Sequence, residues 1–428
     1  MLLNLLLAAA LAAEPLPNPY RDIPQDRNAW PLLLDACKLV VNGHVNDDYP
    51  SWRDPLRPAV RAHLAANAPA LVKLDEALAR SEMARPTSEI QAWNTGADFS
   101  TDAKLRELAR LKVQRAYARS ATGDRLGALR DLDDLLTLVD RLAEATGTSI
   151  DYLVTGAIAA IAFRGAQVLL GPPPAGFDLS RDDPTASLRL EAYSPAERAA
   201  WLALARHAAD ESRSLSSLRL GFGGDLVGSG AWFADPQVRA KAPGPAPTPE
   251  QVARHLAWRR QLLTDLAEEA AKPSSQRCFL RFERLREPVP PGLGDDWRQA
   301  LGTDAHSFVW IARHVDRERA DRRLTATAIA LRLYAADHGN LPADLSFLVM
   351  AGRLPAVPLD PTTDRPLRYA PGEGLLYACD DDGVDHGGRR PWDRTTQLWF
   401  LTRDLPPLWT QGWFDRDWIP TTCPVTLG

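Results

Sequence analysis

Apolar residues recur at helical spacing through much of the first 300 residues of the chain. Leucines from Leu105 to Leu111 share one helix face, and a second series from Leu126 to Leu142 follows after Gly123. A recurrence every three or four residues is typical of amphipathic helices, and a glycine between two such series marks a turn. The pattern therefore predicts a helical hairpin within residues 102–145, inside an irregular helical domain that spans residues 14–300.

This hairpin, with the sequence AYARSATGDRLGALRDLDDLLTLVDRLAE, resembles one tetratricopeptide-type unit. Ala116, Gly123, Ala128 and Leu132 occupy positions where that pattern has small or apolar residues. A helical-hairpin adaptor is the function that the resemblance implies. No repeat follows at the expected period of about 34 residues, so an ordinary helical hairpin is the alternative.

Capping boxes mark two further helix starts. Residues 194–197 (SPAE) and 248–251 (TPEQ) each combine a hydroxyl cap with proline at the first helical position. The segment 220–232 between them, LGFGGDLVGSGAW, is rich in glycine and is predicted to be a loop. It does not complete the GxGxxG motif of dinucleotide-binding proteins.

Residues 150–170 are apolar on nearly all sides. A transmembrane helix is one interpretation of such a segment. The uninterrupted apolar core from Tyr152 to Phe163 is short for a membrane span, so we expect a buried central helix and no stable transmembrane helix in the mature chain.

The pattern changes in the last third of the chain. An apolar helix over residues 308–334 is expected to end at Gly339, which suits a left-handed helix cap. Two apolar strands are predicted at Leu367–Tyr369 and Leu375–Cys379. The chain is therefore expected to be mainly α with a C-terminal α+β module over residues 301–428, in which a long helix packs on a small antiparallel sheet and on the helical domain.

The order of features in this module resembles the soluble domain of type II secretion major pseudopilins. It is also similar to the pseudopilin-like tails of uncharacterised bacterial envelope proteins. The helix end, Leu341-Pro342, Asp360-Pro361, the strands and an acidic glycine-rich loop carry the resemblance. In this chain, roughly 300 residues stand in place of the prepilin-peptidase motif and membrane helix of pseudopilins. The resemblance thus implies a setting in secretion or surface assembly, with a reused fold rather than a filament subunit.

The acidic loop at residues 380–388 (DDDGVDHGG) is the candidate metal site. Major pseudopilins bind calcium in the corresponding loop, so the resemblance implies Asp382 and Asp385 as ligands, with Asp380 or Asp381 as further ones. Crowded carboxylates repel one another, and a hard cation relieves that repulsion. A solvated Asp-Gly turn is the alternative.

The first residues, MLLNLLLAAALAAEPLPNPY, are typical of a secretory signal peptide over residues 1–13. They contain no basic residue, so a hydrophobic first helix is the alternative. The expected location is therefore the periplasm, the cell surface or the medium.

The four cysteines, Cys37, Cys278, Cys379 and Cys423, form no CxxC pair, which argues against a zinc ribbon. In an exported protein, Cys379 with Cys423 and Cys37 with Cys278 is one expected set of disulfides. Buried free thiols are the alternative.

Catalytic motifs are scarce. The sequence contains no HExxH, GxSxG or P-loop, and its net charge of −5 does not suggest nucleic-acid binding. The charged run 317–323 (RERADRR) alternates acids with bases and is predicted to be a solvated helix face.

His207 and His255 have no partner that is visible in the sequence. Five tryptophans within residues 389–428 either bind a ligand or pack as core.

We therefore expect an exported, non-enzymatic envelope protein that binds another macromolecule, with an unidentified protein partner and with calcium stabilising its C-terminal loop. The first alternative is an envelope hydrolase with a site between the two parts, which requires a histidine beside buried carboxylates. The second is the helical-hairpin adaptor.

Overall fold

Helices make up most of the residues that the structure describes, together with one small antiparallel sheet. The computed structural model describes residues 16–41, 54–89, 100–170, 193–234, 247–283, 285, 305–371 and 375–379. In chain order the elements are α1 (Trp30–Leu39), α2 (Pro58–Ala66), α3 (Ala68–Leu78), α4 (Ser100–Ala121), α5 (Arg125–Glu144), α6 (Ser149–Leu169), α7 (Pro195–Ala208), α8 (Ser212–Ala234), α9 (Pro249–Ala271), a 3₁₀ turn (Ser274–Gln276), α10 (Leu280–Glu283), α11 (Ala305–His338), α12 (Ser346–Met350), β1 (Arg368–Ala370) and β2 (Leu375–Tyr377).

Local signals explain where two of the helices begin. The Ser194 hydroxyl accepts a hydrogen bond from the backbone N–H of Glu197 (3.2 Å), and the Glu197 carboxylate accepts one from the backbone of Ser194 (2.7 Å). Thr248 and Gln251 make the same reciprocal pair before α9. Both predicted capping boxes are therefore confirmed.

Helices α4 and α5 form the predicted hairpin. The chain turns between them at Gly123, whose φ of +92° disfavours any residue with a side chain. Asp124 then caps α5 by accepting a hydrogen bond from the N–H of Gly127 (2.9 Å). Helix α5 also contacts α3, α6, α7 and α8, so the hairpin lies inside the helical core rather than on its surface.

Charged side chains also hold this hairpin together. Lys112 of α4 is completely buried, and its ammonium contacts the carboxylates of Asp75 and Asp134, the latter at 2.7 Å. Arg115 donates from Nε to both carboxylate oxygens of Asp131 (3.1 Å each). The buried charges of Lys112 and Asp131 are therefore paired, while Asp75 and Asp134 reach the Lys112 ammonium from partly exposed positions.

Helix α6 lies at the centre of the fold. It contacts α4, α5, α8 and α11, and Ile158 and Phe163 are among its buried side chains. Among the described residues it is the one helix long and apolar enough to cross a membrane, with a mean hydropathy of 1.4, and half of that window is buried. Its contacts with four helices are those expected of a buried central helix.

The prediction of a loop at residues 220–232 is wrong, because this segment lies within helix α8. A Cβ at Gly223 would overlap the carbonyl oxygen of Pro17, and one at Gly224 would overlap that of Gly147. Glycine disfavours a helix interior by about 1 kcal/mol. Here the glycines let the backbone of α8 approach the backbones of Pro17 and Gly147, and the segment is helical despite the low helix propensity of glycine.

Helix α11 joins the helical part to the C-terminal module. It is 34 residues long and contacts α6, α7, α8 and α9 as well as α12 and β2. One hydrophobic core accordingly contains residues from both parts, among them Leu132, Phe163, Ile329 and Leu376.

The prediction that residues 317–323 form a solvated face is also wrong. Arg322 is 1% exposed, and its Nε donates to the Glu318 carboxylate (3.0 Å). Arg323 donates from Nη2 to the carboxylate of Glu211, between α7 and α8 (2.7 Å). Alternating charges are compatible with burial here because the same helix and its neighbours supply the counter-charges.

Within the C-terminal module, α11 ends at Gly339, whose φ of +77° is that of the predicted left-handed cap. Strands β1 and β2 pair in antiparallel fashion, with Arg368 opposite Tyr377. Strand β2 packs on α11, and Leu376 is completely buried. A long helix on a small antiparallel sheet is thus observed, with strand bounds close to those predicted.

Candidate functional site

Polar residues converge at the start of α6. Asp225 of α8 lies against this helix end, and both of its carboxylate oxygens accept from the backbone N–H of Ser149 (3.3 Å each). Thr148 caps the helix by accepting from the N–H of Asp151 (3.1 Å). Helix N-termini carry unsatisfied N–H groups and a partial positive charge, which favour a carboxylate at this position.

The glycines of α8 explain how Asp225 reaches the end of another helix. A Cβ at Gly221 would stand 2.8 Å from the carbonyl oxygen of Thr148, and one at Gly224 would overlap that of Gly147. A larger residue at either position would hold the two helices apart. The carboxylate would then no longer reach the first N–H group of α6.

Segments near the N-terminus fix the other side of this turn. The Tyr20 hydroxyl donates to the carbonyl of Gly147 (3.3 Å). Arg85 forms an ion pair with Asp151 and lies over the Trp30 ring, 4.2 Å from its centroid. The loop before α6 is therefore held in place from both sides.

Two residues of α9 complete the cluster. Arg259 and His255 are 8% and 7% exposed. The Arg259 guanidinium lies over the Phe308 ring at 5.2 Å from its centroid, and its Nε has no hydrogen-bond partner. Its charge acts on both Asp225 and His255.

Burial sets the ionisation of the cluster. Desolvation raises the pKa of Asp225 from 3.8 to about 6, although the charge of Arg259 and the hydrogen bonds from Ser149 act in the opposite direction. Desolvation and the charge of Arg259 lower the pKa of His255 from 6.5 to about 4. At neutral pH the cluster therefore holds a carboxyl group close to its titration point and a neutral imidazole. Strongly perturbed pKa values of this kind are typical of functional sites.

His207 lies in a separate cluster between α5 and α7. Its Nδ1 is 2.8 Å from the Asp133 carboxylate, and its Nε2 is 3.1 Å from that of Asp140. Desolvation acts to lower the pKa of His207, but the hydrogen bonds to Asp133 and Asp140 outweigh it and raise the pKa to about 9. The ring is therefore an imidazolium at neutral pH, and both nitrogens are occupied. Such a ring bridges two helices and offers no lone pair to a substrate.

The four predicted calcium ligands, Asp380, Asp381, Asp382 and Asp385, lie outside the described residues. The same is true of the predicted signal peptide and of the tryptophan-rich segment 389–428. Within the part of the chain that the structure describes, no group of three or more histidine, cysteine, aspartate or glutamate residues could hold a metal ion. The calcium site therefore stays a prediction.

Asp360 binds two backbone N–H groups near the end of the described C-terminal residues. Its buried carboxylate accepts from the backbone N–H of Thr362 (2.9 Å) and from that of Cys379 (2.8 Å). Asp360 therefore ties its own turn to Cys379, the residue that directly precedes the acidic segment in the sequence.

Cys37 and Cys278 carry free thiols, so the expected disulfide between them is absent and the free-thiol alternative holds for this pair. Desolvation raises the pKa of the buried Cys37 thiol to about 12, which makes it unreactive at neutral pH. The predicted pairing of Cys379 with Cys423 falls partly outside the described residues.

Sequence reasoning did not identify Asp225 or Arg259 as site residues. One available signal was an acidic residue directly after Gly223-Gly224, and another was an arginine four residues after His255, on the same helix face. Neither signal shows that α8 and α9 meet the start of α6.

Comparison with known proteins gives no family assignment. No family model matches the chain, and neither a curated protein nor a solved structure matches it significantly.

Proposed function

We propose that the protein is an exported, non-enzymatic envelope protein that binds another macromolecule through a pseudopilin-like C-terminal module. The observation that carries this proposal is the path of α11, which runs from the helical core into the module. A partner bound at the module is thereby attached to a large packed body rather than to a flexible tether. That arrangement suits a role in secretion or surface assembly.

The order of elements supports a pseudopilin-like module. A long helix ending at Gly339 is followed by short α12, the Asp360 turn and an antiparallel strand pair. Asp360 also binds the backbone of Cys379, which directly precedes the acidic segment in the sequence. A calcium ion in that loop would neutralise its carboxylates and stabilise the same corner of the module.

An exposed apolar surface on α12 supports macromolecular binding. Phe347 and Met350 are three residues apart on this helix and are 36% and 71% exposed, whereas Leu348 between them is buried in the core. Aromatic residues and methionine are enriched in protein interfaces, and methionine adapts to different partner surfaces. These two side chains are the proposed contacts.

A paired substitution tests this surface. Phe347→Ser with Met350→Glu is expected to leave the free energy of unfolding within about 1 kcal/mol of the wild-type value, because both changes are at exposed positions. Photo-crosslinking from a probe at Ser346 in intact cells is expected to give a defined adduct with the wild type and a much weaker one with the variant. Val72→Glu alters an exposed apolar residue of the helical part and serves as the control. Equal adduct yields from all three proteins would exclude α12 as the contact surface.

Thermal unfolding tests the calcium component. In about millimolar calcium, relative to EGTA, the wild type is expected to gain about 2.7 kcal/mol at a hundredfold excess over the dissociation constant. Asp382→Asn with Asp385→Asn is expected to abolish the gain, whereas Asp344→Asn, in the same module, is expected to retain it. A calcium response that persists in the double variant would disprove the ligand assignment.

An envelope hydrolase is the second candidate, and the cluster at the start of α6 favours it. Asp225 has a raised pKa and His255 a lowered one, and such divergence is typical of acid–base pairs. The carboxyl group is suited to donate a proton and the neutral imidazole to accept one. His207 does not fit this role, because both of its ring nitrogens are occupied.

An activity screen with chromogenic carboxyl esters, phosphate esters and glycosides tests the hydrolase. If the wild type hydrolyses one of these classes, Asp225→Asn and His255→Gln are expected to lower kcat by about a hundredfold or more. His207→Gln is expected to retain activity. A screen without activity, or activity that survives both substitutions, would reject this candidate.

A further inference from the structure

The guanidinium of Arg259 lacks the acceptors that a buried arginine normally has. Arginine presents five N–H donors, and burying a charge without hydrogen-bonded partners is costly. Arg259 is 8% exposed, its Nε has no hydrogen-bond partner, and no carboxylate of the described residues lies within 4.0 Å of its nitrogens. By contrast, the buried Arg322 donates to Glu318 on its own helix.

The described side chains that surround Arg259 do not accept hydrogen bonds from its guanidinium N–H groups. Asp225 is close enough to act on it electrostatically, but the Asp225 oxygens accept from the backbone of Ser149. The Phe308 ring faces the guanidinium at 5.2 Å and accepts no conventional hydrogen bond. His255, four residues earlier on the same helix, is neutral at pH 7 and so adds no second positive charge beside the guanidinium.

We propose that Arg259 binds a small carboxylate or phosphate anion between α8, α9 and α11. Both anions accept two parallel hydrogen bonds from a guanidinium, which a lysine does not reproduce. The Phe308 ring packs against the guanidinium, with the guanidinium carbon 5.2 Å from its centroid, and the residual exposure of Arg259 gives the ligand an approach from solvent. The site requires neither the macromolecular partner nor the hydrolysis considered above.

The charge of Asp225 makes this binding depend on pH. The charged and titratable groups that act on Asp225 are Arg259 of α9 and Asp151 of α6, and Asp225 acts in turn on Tyr20. Desolvation raises the pKa of Tyr20 to about 12, so its phenol stays neutral, and His255 beside Arg259 is neutral above about pH 4. An ionised Asp225 repels an anion at Arg259, and a protonated one does not. Because the pKa of Asp225 is about 6, we expect tighter binding below that pH.

Calorimetric titration with sodium phosphate, and separately with sodium acetate, tests the site at constant ionic strength. The wild type is expected to bind one equivalent of at least one of these anions. Arg259→Met is expected to weaken binding at least about tenfold, which corresponds to the loss of about 1.4 kcal/mol. Arg254→Met, on the same helix but exposed and paired with Glu250, is the matched control and is expected to bind like the wild type. Asp225→Asn is expected to bind more tightly at about pH 7.5 and to lose the pH dependence of acetate binding, since phosphate itself also titrates in this range.

A second variant keeps the test decisive if Arg259→Met does not fold. Arg259→Lys retains the positive charge but loses the bidentate edge, so it is expected to weaken binding about fivefold or more. The proposal is overturned if the wild type binds neither anion with a dissociation constant below about 10 mM, which corresponds to a binding free energy of about −3 kcal/mol. It is also overturned if the Arg259 variants bind as well as Arg254→Met, which would indicate nonspecific ion binding. Binding of phosphate alone, or of acetate alone, supports the site and identifies the ligand class.

Discussion

Replacing Asp225 with asparagine is expected to stabilise the protein at neutral pH. Asparagine keeps an oxygen that accepts the N–H of Ser149 but removes the charge whose burial raises the pKa of Asp225 from 3.8 to about 6. A pKa difference of this size corresponds to about 3 kcal/mol of unfolding free energy. The free energy of unfolding of the wild type is therefore expected to be lower than that of Asp225→Asn by up to that amount when the carboxyl group is ionised.

The sign of the pH dependence follows from which state binds the proton. Between pH 3.8 and about 6, the folded state binds more protons at Asp225 than the unfolded state does. The free energy of unfolding of the wild type consequently falls as the pH rises through this interval. Asp225→Asn and the wild type are expected to be similarly stable near pH 4, and the variant is expected to be the more stable protein above about pH 6.

Urea denaturation followed by circular dichroism from about pH 4 to about pH 8 measures this difference directly. Asp210→Asn is a control of opposite sign, because a hydrogen bond from Ser212 lowers the pKa of Asp210. Removing the Asp210 charge in this variant is expected to reduce the free energy of unfolding at neutral pH. If Asp225→Asn were less stable than the wild type at pH 8, the helix end and Arg259 would outweigh desolvation, and the reasoning would be refuted.

Three further substitutions test the packing and the second charged cluster. Gly224→Ala is expected to destabilise the protein by several kcal/mol, because its Cβ would overlap the carbonyl of Gly147, whereas Gly156→Ala in α6 has open space and is expected to stabilise it by up to about 1 kcal/mol. Thermal unfolding of the two variants decides this, and equal melting temperatures would contradict the close contact. His207→Gln is expected to cost on the order of 1 kcal/mol below pH 6.5. Since the pKa of His207 is raised to about 9, this loss is expected to vanish as the pH rises through that value, and a pH-independent loss would show that the imidazolium bridge is not its cause.

Local signals in the sequence predicted much of the secondary structure. The turn at Gly123, the capping boxes at Ser194 and Thr248, and the helix end at Gly339 depend on interactions within a few residues, and each is observed. The helical class and the antiparallel strand pair follow from apolar periodicity for the same reason.

Long-range packing explains the errors. Glycines in residues 220–232 predict a loop when only local propensity is considered, but α8 is helical and Gly224 packs against the backbone of Gly147, far away in the sequence. Residues 317–323 suggest a solvated face, but Arg322 is buried within this run and Glu211 supplies a counter-charge to Arg323. The sequence does not show which helices meet, so it does not show these contacts.

The candidate site, like the segments that were mispredicted, depends on contacts between residues far apart in the sequence. By itself the sequence determined the mainly helical class, the helix ends marked by caps and the order of elements in the C-terminal module, because capping and periodicity are local properties. Only the tertiary structure decided that Asp225 meets the start of α6 and that Arg259 is buried beside it without a hydrogen-bonded acceptor. The ionisation of these side chains depends on desolvation and on charges from other helices, and those exist only once the chain has folded.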